Sequence, residues 1–518
     1  MSKNNTATNR INLYLLKNSL TTVDNNIDVY LKDNVEKYEL KENMILVYDE
    51  SNSKTPEWVS KFFNNQLPQN IVFSNSSSKA LILITVDDDT ETYNFAVTFG
   101  FGRYLLMPNV WEEDFGLRTT LNLASEDKIR KVNTKKLTDI PRNTSNQISI
   151  ASEIFNFNID EEQELVESIT AQSSDNKFGK TISGKESISF STKIDIENIH
   201  DILKDIITHY KSEKYKEHFE WIDNIKPIKD KYKIKNLDNQ LINEINNKNF
   251  DKLWLSVPDI IEWDDISYFK YNKNSEELDD IHIETYLDYL KSDKISTSDF
   301  NNIVQTYSEQ KGFFTNKWKI YNCIYCELQY KEELFLLSNG KWFLINKDFN
   351  QRINEFYSNL TINTNILPKF SETDKPEFAY NKRVSEELGY KLFDSHNIPH
   401  GGGRSKIEFC DLYNSKEIIH VKRYTGSSTL SHLFNQGLVS AELILSDKSY
   451  RDKIDKINNV FLDANEINPD EYTVSYAILS HSSNDLDLPF FSKITLKNSL
   501  QRLKNYGFKY RLIKVDKV

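Results

Sequence analysis

The chain contains no run of eighteen or more apolar residues, which excludes a membrane-spanning helix of ordinary length. Residues Met1 to Arg10 are polar and offer no apolar stretch of the kind a secretory signal needs. Cysteine is scarce: Cys323, Cys326 and Cys410 are the only three in 518 residues. Three cannot build a disulfide framework, and a reducing cytoplasm is the expected setting. Nor is there a zinc signature, because the single Cys-x-x-Cys has no second pair and no neighbouring histidine. The expected strand would also send those two side chains to opposite faces. A Walker loop is missing as well. The one glycine-rich candidate, Phe99-Gly-Phe-Gly-Arg103, lacks the lysine and hydroxyl that such a loop uses. A structural turn is expected there, with phosphate contact the lesser alternative.

What is present is an ordinary soluble composition, 38% apolar and 27% charged, with room for two to four domains. The net charge of −12 argues at first against nucleic-acid partners, but it is unevenly placed. Residues 371–518 hold 21 Lys+Arg against 20 Asp+Glu, and the rest of the chain carries a net −13. The C-terminal portion ends in a basic run that includes Arg502, Lys504, Lys509, Arg511 and Lys514. For phosphate contact a local basic surface counts for more than the global sum.

Three regions are expected. Residues 1–140 read as an α/β domain. Strands are expected at Asn12–Leu16, Met44–Tyr48, Ala80–Val86 and Tyr93–Gly100, and a short helix at Pro56–Phe63. Residues 141–365 read as a middle α+β region. It has a strand at Ser189–Ile194, an amphipathic helix at Ile199–Tyr210 and a β-meander near 317–346. The meander strands are Trp318–Leu328, Glu333–Ser338 and Lys341–Ile345, with Asn339-Gly340 as a strong hairpin signal. Thr361–Pro376 reads as a linker. Residues 366–518 follow the order helix, hairpin, helix, strand, helix, strand. The fold class is α/β (α+β), multi-domain, with a central mixed sheet in the C-terminal part.

The residues that carry chemistry lie in this last region. Along Glu377–Leu392, Tyr380, Val384, Leu388 and Leu392 share a helical stripe with Glu377 and Asn381, which directs Glu377 inwards. A buried carboxylate needs a partner, and a cation is a common one. After the His/Gly-rich loop Pro399-His-Gly-Gly-Gly-Arg404 come two strands, Lys406–Leu412 and Lys416–Tyr424. A two-residue loop at Asn414-Ser415 pairs Asp411 with Ile418. It gathers Asp411, His420 and Lys422 on one face and leaves Glu408 on the other. An acid followed by ligand-x-Lys is what hard-metal phosphodiester chemistry uses: Asp411, Glu377 and His420 for the metal, Lys422 for water and developing charge. In the next helix His432, Gln436 and Ser440 recur at i, i+4 and i+8. His432 and Gln436, with Arg423 and Asn381, are candidate substrate contacts. Glu377, Asp411, His420 and Lys422 are expected to converge within about 8 Å, a distance one hydrated cation can span.

Several runs resemble a sporadically distributed family of uncharacterised bacterial proteins. They are Phe99-Gly-Phe-Gly-Arg-Tyr-Leu-Leu106, Asp114-Phe-Gly-Leu-Arg118, Phe219-Glu-Trp-Ile-Asp223, Ile407-Glu-Phe-Cys-Asp-Leu412, Ile419-His-Val-Lys-Arg423 and Leu430-Ser-His-Leu-Phe-Asn-Gln-Gly437. The likeness spans nearly the whole chain and implies a place in defence islands, against phage or other foreign DNA. The C-terminal part is similar to the PD-(D/E)xK, or restriction-endonuclease-like, superfamily. That resemblance assigns the acid to Asp411 and the lysine to Lys422, with His420 where the second acid usually stands. It implies Mg²⁺ or Mn²⁺ as cofactor and nucleic acid, DNA rather than RNA, as partner, with no membrane involved. The acidic N-terminal portion would then serve self-association or a defence partner. The rival expectation is a non-catalytic nucleic-acid-binding or scaffold protein with a degenerate nuclease fold, and His420 is the feature that favours it.

Overall fold

A computed structural model describes residues 8–518 except 21–26, 50–54, 56–67, 69–70, 73, 75–77, 89–90, 137–141, 259–265, 293, 310–312, 395, 401–404, 425–426, 459, 461–466 and 483. The helix expected at Pro56–Phe63 and the loop Gly401–Arg404 therefore lie outside the described residues. The chain forms two compact units: residues 1–135 with 143–222, and residues 136–142 with 223–518. Both mix strands and helices, an α+β architecture. Among the described residues no helix is long and apolar enough to cross a membrane.

The first unit is organised by a ten-stranded sheet. Its order begins Glu36–Lys41, Met44–Asp49, Lys79–Asp87, Thr92–Gly100, Thr8–Leu15 and Ile188–Lys193. It continues through Thr181–Gly184, Glu164–Ser173, Ala124–Lys136 and Arg142–Ser152. Alternating apolar residues such as Ile11, Leu13 and Leu15 build one core with Phe95, Val97, Phe115 and the helix Ile199–Lys211. Tyr14, Leu16, Leu81 and Leu83 meet Leu105, Leu106 and Trp111 in another.

The glycine-rich run is structural. A β-carbon on Gly102 would stand 1.9 Å from the carbonyl oxygen of Ala80. Arg103 is occupied by Glu186 at 2.7 Å and by the Trp111 ring, 4.9 Å from its guanidinium carbon. The helix Phe115–Leu123 lies as close to its sheet. A β-carbon on Gly116 would stand 2.1 Å from the Ser187 carbonyl oxygen, and one on Gly184 would stand 2.0 Å from the carbonyl oxygen of Gly116. Backbone cannot yield as a side chain can, so Gly116→Ala is expected to destabilise this unit by about 1–3 kcal/mol. Thermal melts with and without the substitution check it; an unchanged midpoint would refute the close packing.

The second unit holds a five-stranded sheet ordered Ile225–Pro227, Lys341–Ile345, Glu333–Ser338, Ile324–Tyr330, Leu253–Leu255, and a three-stranded sheet Tyr268–Lys270, Ile303–Ser308, Phe313–Lys319. Asn339-Gly340 forms the expected tight hairpin, with φ of +50° and +66° and Ser338 opposite Lys341. The expected strand Trp318–Leu328 is broken. The chain leaves one sheet at Lys319, turns through the short helix Ile320–Cys323 and enters the other at Ile324. Cys323 and Cys326 therefore share one apolar core as free buried thiols instead of facing opposite ways. A run of aromatic and β-branched residues does not reveal such a corner, because both arms are strands.

The C-terminal part of this unit is a six-stranded mixed sheet ordered Ile362–Thr364, Lys509–Asp516, Thr473–Ser480, Glu417–Arg423, Leu412–Asn414, Lys391–Leu392. Neighbours pair in parallel from Ile362–Thr364 to Glu417–Arg423, and the remaining pairs are antiparallel. The stretch expected as a linker thus supplies an edge strand, in which Ile362 pairs with Leu512. The helix Glu377–Leu388, through Tyr380 and Val384, covers one face over Ile419, Val421, Ala477 and Ile513. The helices Ser427–Ser446 and Phe490–Asn505 pack on the other, against Ile418, Tyr476 and Ile478. Buried Glu327 joins the meander to this part. Its carboxylate accepts from Phe490 N at 2.6 Å and Phe491 N at 3.4 Å, the opening amides of the helix Phe490–Asn505.

Candidate functional site

The hairpin that presents the site turns at Ser415-Lys416, whose φ angles are +47° and +70°. Tyr413 pairs with Ile418 and Leu412 with Ile419, a register two residues from the expected one, and the amide of Asp411, just outside the strand, donates to the Ile419 carbonyl at 3.0 Å. The turn was expected one residue earlier because Asn414 is the better turn former; in the structure Asn414 ends the strand and pairs with Glu417. A slip of two preserves side-chain parity, so His420 and Lys422 still belong to the face of Ile418, while Asp411 lies just before the paired residues and is reached by Asn381 of the helix Glu377–Leu388.

The strand expected over Lys406–Leu412 is not continuous. Ser405–Glu408 pairs with Asn397–His400 in a separate two-stranded ribbon, and Phe409 and Cys410 form a crossing before Leu412 joins the main sheet. This break reverses the expected placement of Glu408. Its carboxylate and those of Asp394 and Asp411 form a group in which one oxygen from each lies within 4.8 Å of the others. Asp394 follows the short strand Lys391–Leu392, and its amide donates to the Asp411 carbonyl at 3.2 Å. Asp411 is anchored through Oδ2, which accepts from Val421 N at 2.7 Å. Fully buried Asn381 reaches from the covering helix. Its Nδ2 lies 2.7 Å from Asp394 Oδ2 and 3.4 Å from Asp411 Oδ1, and its Oδ1 has no hydrogen-bond partner.

Lys422 and Glu377 meet at the end of the same strand. Lys422 Nζ donates to Glu377 Oε1 at 2.9 Å, and the other oxygen of Glu377 accepts from Arg423 N at 2.7 Å. Neither Glu377 nor His420 belongs to the 4.8 Å carboxylate group. His420 is 1% exposed, 6.4 Å in ring separation from Tyr476, with Nε2 unpartnered. Arg423 turns to the opposite side. Its guanidinium donates to the Asp374 carbonyl at 3.1 Å and lies 4.9 Å from the Phe370 ring. His432 and Gln436 lie one turn apart on the helix Ser427–Ser446, and Lys422 is close enough for its charge to act on His432. Ser440, at the end of the expected polar line, is buried and donates to the Phe409 carbonyl at 2.5 Å, bracing the crossing segment.

The electrostatics follow from crowding and burial. Burial drives the Asp411 carboxyl well above its ordinary value, and the charges of Glu408, Asp394 and Glu377 add to the rise against the Val421 amide. Burial opposes the charge of Lys422, yet the hydrogen bond and charge of Glu377, with Asp411 and Glu408, hold it above an ordinary lysine. His420 is pushed down to about 3 by burial, with His432 adding to the effect, so its imidazole is neutral. Burial and Lys422 likewise lower His432.

Reading the sequence as one strand from Lys406 to Leu412 misses Asp394 and Glu408. The Ile407-Glu-Phe-Cys-Asp-Leu412 run carries the signal in its two acids three apart, which become neighbours once Phe409 and Cys410 leave strand geometry. No curated protein and no solved structure matches the chain. A family profile described as a family of unknown function, DUF6119, matches residues 11–516, and the chain belongs to that family.

Proposed function

We propose that this chain is a metal-dependent nuclease that cleaves phosphodiester bonds, with DNA as the substrate class and Mg²⁺ or Mn²⁺ as the cofactor. One observation carries the reading: three carboxylates, those of Asp394, Glu408 and Asp411, each bring one oxygen within 4.8 Å of the others, and Lys422 lies within reach of the charge of Asp411 and Glu408. Three such groups cannot all ionise in a buried site unless positive charge offsets them. All-oxygen donors suit a hard divalent cation, and the orphaned Oδ1 of Asn381 becomes a further donor if its amide turns over. A bound divalent ion would supply Lewis acidity and an acidified water. Lys422, held charged by Glu377, orients that water and meets the negative charge that develops on the phosphorus oxygens. Glu377 positions Lys422 and the end of its strand. His432 and Gln436, on the helix beside them, face the incoming backbone. The mixed sheet, with its hairpin flanked by helices, supports the PD-(D/E)xK likeness, and the role against foreign DNA rests on the family resemblance alone. The acidic N-terminal portion is the part proposed to sense a partner, occlude the site or mediate assembly.

Plasmid and single-stranded substrates incubated with Mg²⁺, Mn²⁺ or EDTA test the reading. Glu408→Gln and Asp394→Asn are each expected to weaken metal-dependent cleavage about 10–100-fold by loosening the cation. His420→Gln is expected to leave cleavage largely intact. A second reading, a binding module with a degenerate nuclease fold, is favoured by the burial of His420 away from the carboxylates. Metal-independent binding with no cleavage of any substrate would establish it.

A further inference from the structure

Three neighbouring parallel strands of the C-terminal sheet end alike. Val421, Leu479 and Val515 are buried in the core that the helix Glu377–Leu388 covers. Two residues beyond each of them stands a basic residue: Arg423, His481 and Lys517. The register brings all of these to one rim, since Arg423 pairs with Leu479 and Ser480 with Asp516. Buried Phe370 supports the row. Its ring lies 4.9 Å from the Arg423 guanidinium carbon and meets the His481 ring edge-on at 5.1 Å. Arg423 Nη1 stands 3.4 Å from His481 Nε2. Donation by the guanidinium places the imidazole proton on Nδ1, where it is a further donor. Burial and the charges of Lys517 and Arg423 lower His481, so the ring is neutral. The charges at this rim do not balance. Lys375 and Lys517 share a single carboxylate, that of Glu372. Arg383 holds Asp374, and Lys422 holds Glu377. Among the described residues the Arg423 guanidinium bonds neutral groups, the Asp374 carbonyl and His481. Three cations, Lys375, Lys517 and Arg423, therefore face one carboxylate, a surplus of two positive charges. In open sheets ligands settle outside the carboxyl ends of parallel strands, which is where this row lies. Lys422 ends beside it, because Glu377 accepts both from Lys422 Nζ and from Arg423 N.

We propose that His481, Lys517 and Lys375 hold a backbone phosphate of a nucleic acid, adjacent along its chain to the phosphate that meets Lys422. Arg423 keeps His481 in place and adds its charge. The incoming phosphate takes the place of the Glu372 carboxylate on one or both lysines, one anion for another. No base edge is contacted, so the site strengthens binding alike for all sequences. The inference rests on the nucleic-acid reading above and holds whether or not the chain cleaves what it binds.

Fluorescence anisotropy on the full-length protein in EDTA, with labelled duplex and single-stranded DNA of mixed sequence as probes, measures binding apart from cleavage. The double substitution Lys375→Gln/Lys517→Gln is expected to weaken binding about tenfold or more at about 0.1 M salt, and to reduce the slope of log affinity against log salt by about 1–2. Glu372→Gln should act in the opposite direction, tightening binding about threefold or more, because it removes the anion that competes for both lysines. The three side chains are 36–57% exposed, so the fold should survive each change. Unchanged affinity and salt slope in the double variant overturn the inference, and so does Glu372→Gln binding no tighter than the wild type. A wild type that binds no nucleic acid overturns it together with the proposed function. A wild type that binds, responds to these substitutions as expected and never cleaves supports this site and removes the nuclease reading alone.

Discussion

Lys422→Ala is expected to reduce metal-dependent cleavage by about 10³-fold or more while the protein stays folded. The loss is that of a preorganised cation facing transition-state charge, an effect of roughly 3–4 kcal/mol or more in enzymes that use one. Stability should change little. The Lys422–Glu377 pair is partly exposed, at 29% and 23% for the two side chains, and pairs of this kind contribute about 1 kcal/mol or less. Glu377 also keeps its bond from Arg423 N at 2.7 Å, so the end of the strand stays tied to the helix Glu377–Leu388. Plasmid cleavage measured beside a thermal melt separates the two effects. Cleavage that survives in Lys422→Ala, with a normal melt, would remove lysine from the chemistry and leave the carboxylates to account for it alone.

The second large effect falls on stability. Glu327→Leu is expected to destabilise the C-terminal unit by about 3–5 kcal/mol, because it strands buried backbone donors at a helix start that has no other side-chain cap. The Glu327 carboxylate accepts from Phe490 N, Phe491 N and the Tyr325 hydroxyl, the last at 3.3 Å. Leucine offers no acceptor. Glu327→Gln retains one oxygen and should lose roughly half as much. The pH dependence runs in a definite direction. Burial raises the Glu327 carboxyl above its ordinary value of 4.5, while the Phe490 amide and Lys252 oppose the rise. A raised folded value means that the group favours the folded state most when protonated. That stability is fully present below about pH 4.5 and is lost as pH rises through the folded value. Denaturant melts across this window should show a decline in the wild type that Glu327→Gln flattens. Equal slopes in both proteins would show that Glu327 does not titrate there.

Much of the C-terminal architecture was legible because strong local signals agreed. The apolar stripe through Tyr380 and Val384 sets the helix, and the glycine after it, Gly389, ends the helix with a φ of +70°. β-branched and aromatic runs mark Glu417–Arg423, Thr473–Ser480 and Lys509–Asp516, whose neighbours pair in parallel. Asp411, Lys422 and Glu377 could be singled out because each sits at a definite phase of a helix or strand. Asp394 and Glu408 could not, since both lie where strand geometry stops and periodicity carries no information. His420 shows the opposite failure. Parity placed it on the face of Ile418 and Lys422, but parity does not say whether a side chain points at the carboxylate cluster or sinks beside Tyr476. Arg423, chosen as a substrate contact for its charge, is the next residue after Lys422 and so faces the other way, where the Phe370 ring and the Asp374 carbonyl occupy it. In the N-terminal unit the structural turn expected at Phe99–Arg103 could be placed from sequence, but the backbones that Gly102 and Gly116 approach could not.

The turn at Ser415-Lys416 has a consequence for the lengths this hairpin tolerates. Side chains alternate with a period of two, so lengthening or shortening the turn by two residues slides one arm along the other yet keeps their faces in phase. A single-residue insertion or deletion would instead turn one arm of the hairpin over relative to the other, separating acid from lysine without altering either. Natural length variation at this turn should therefore come in even steps among active proteins. Odd steps should appear only where a compensating bulge restores the phase or where cleavage has been abandoned.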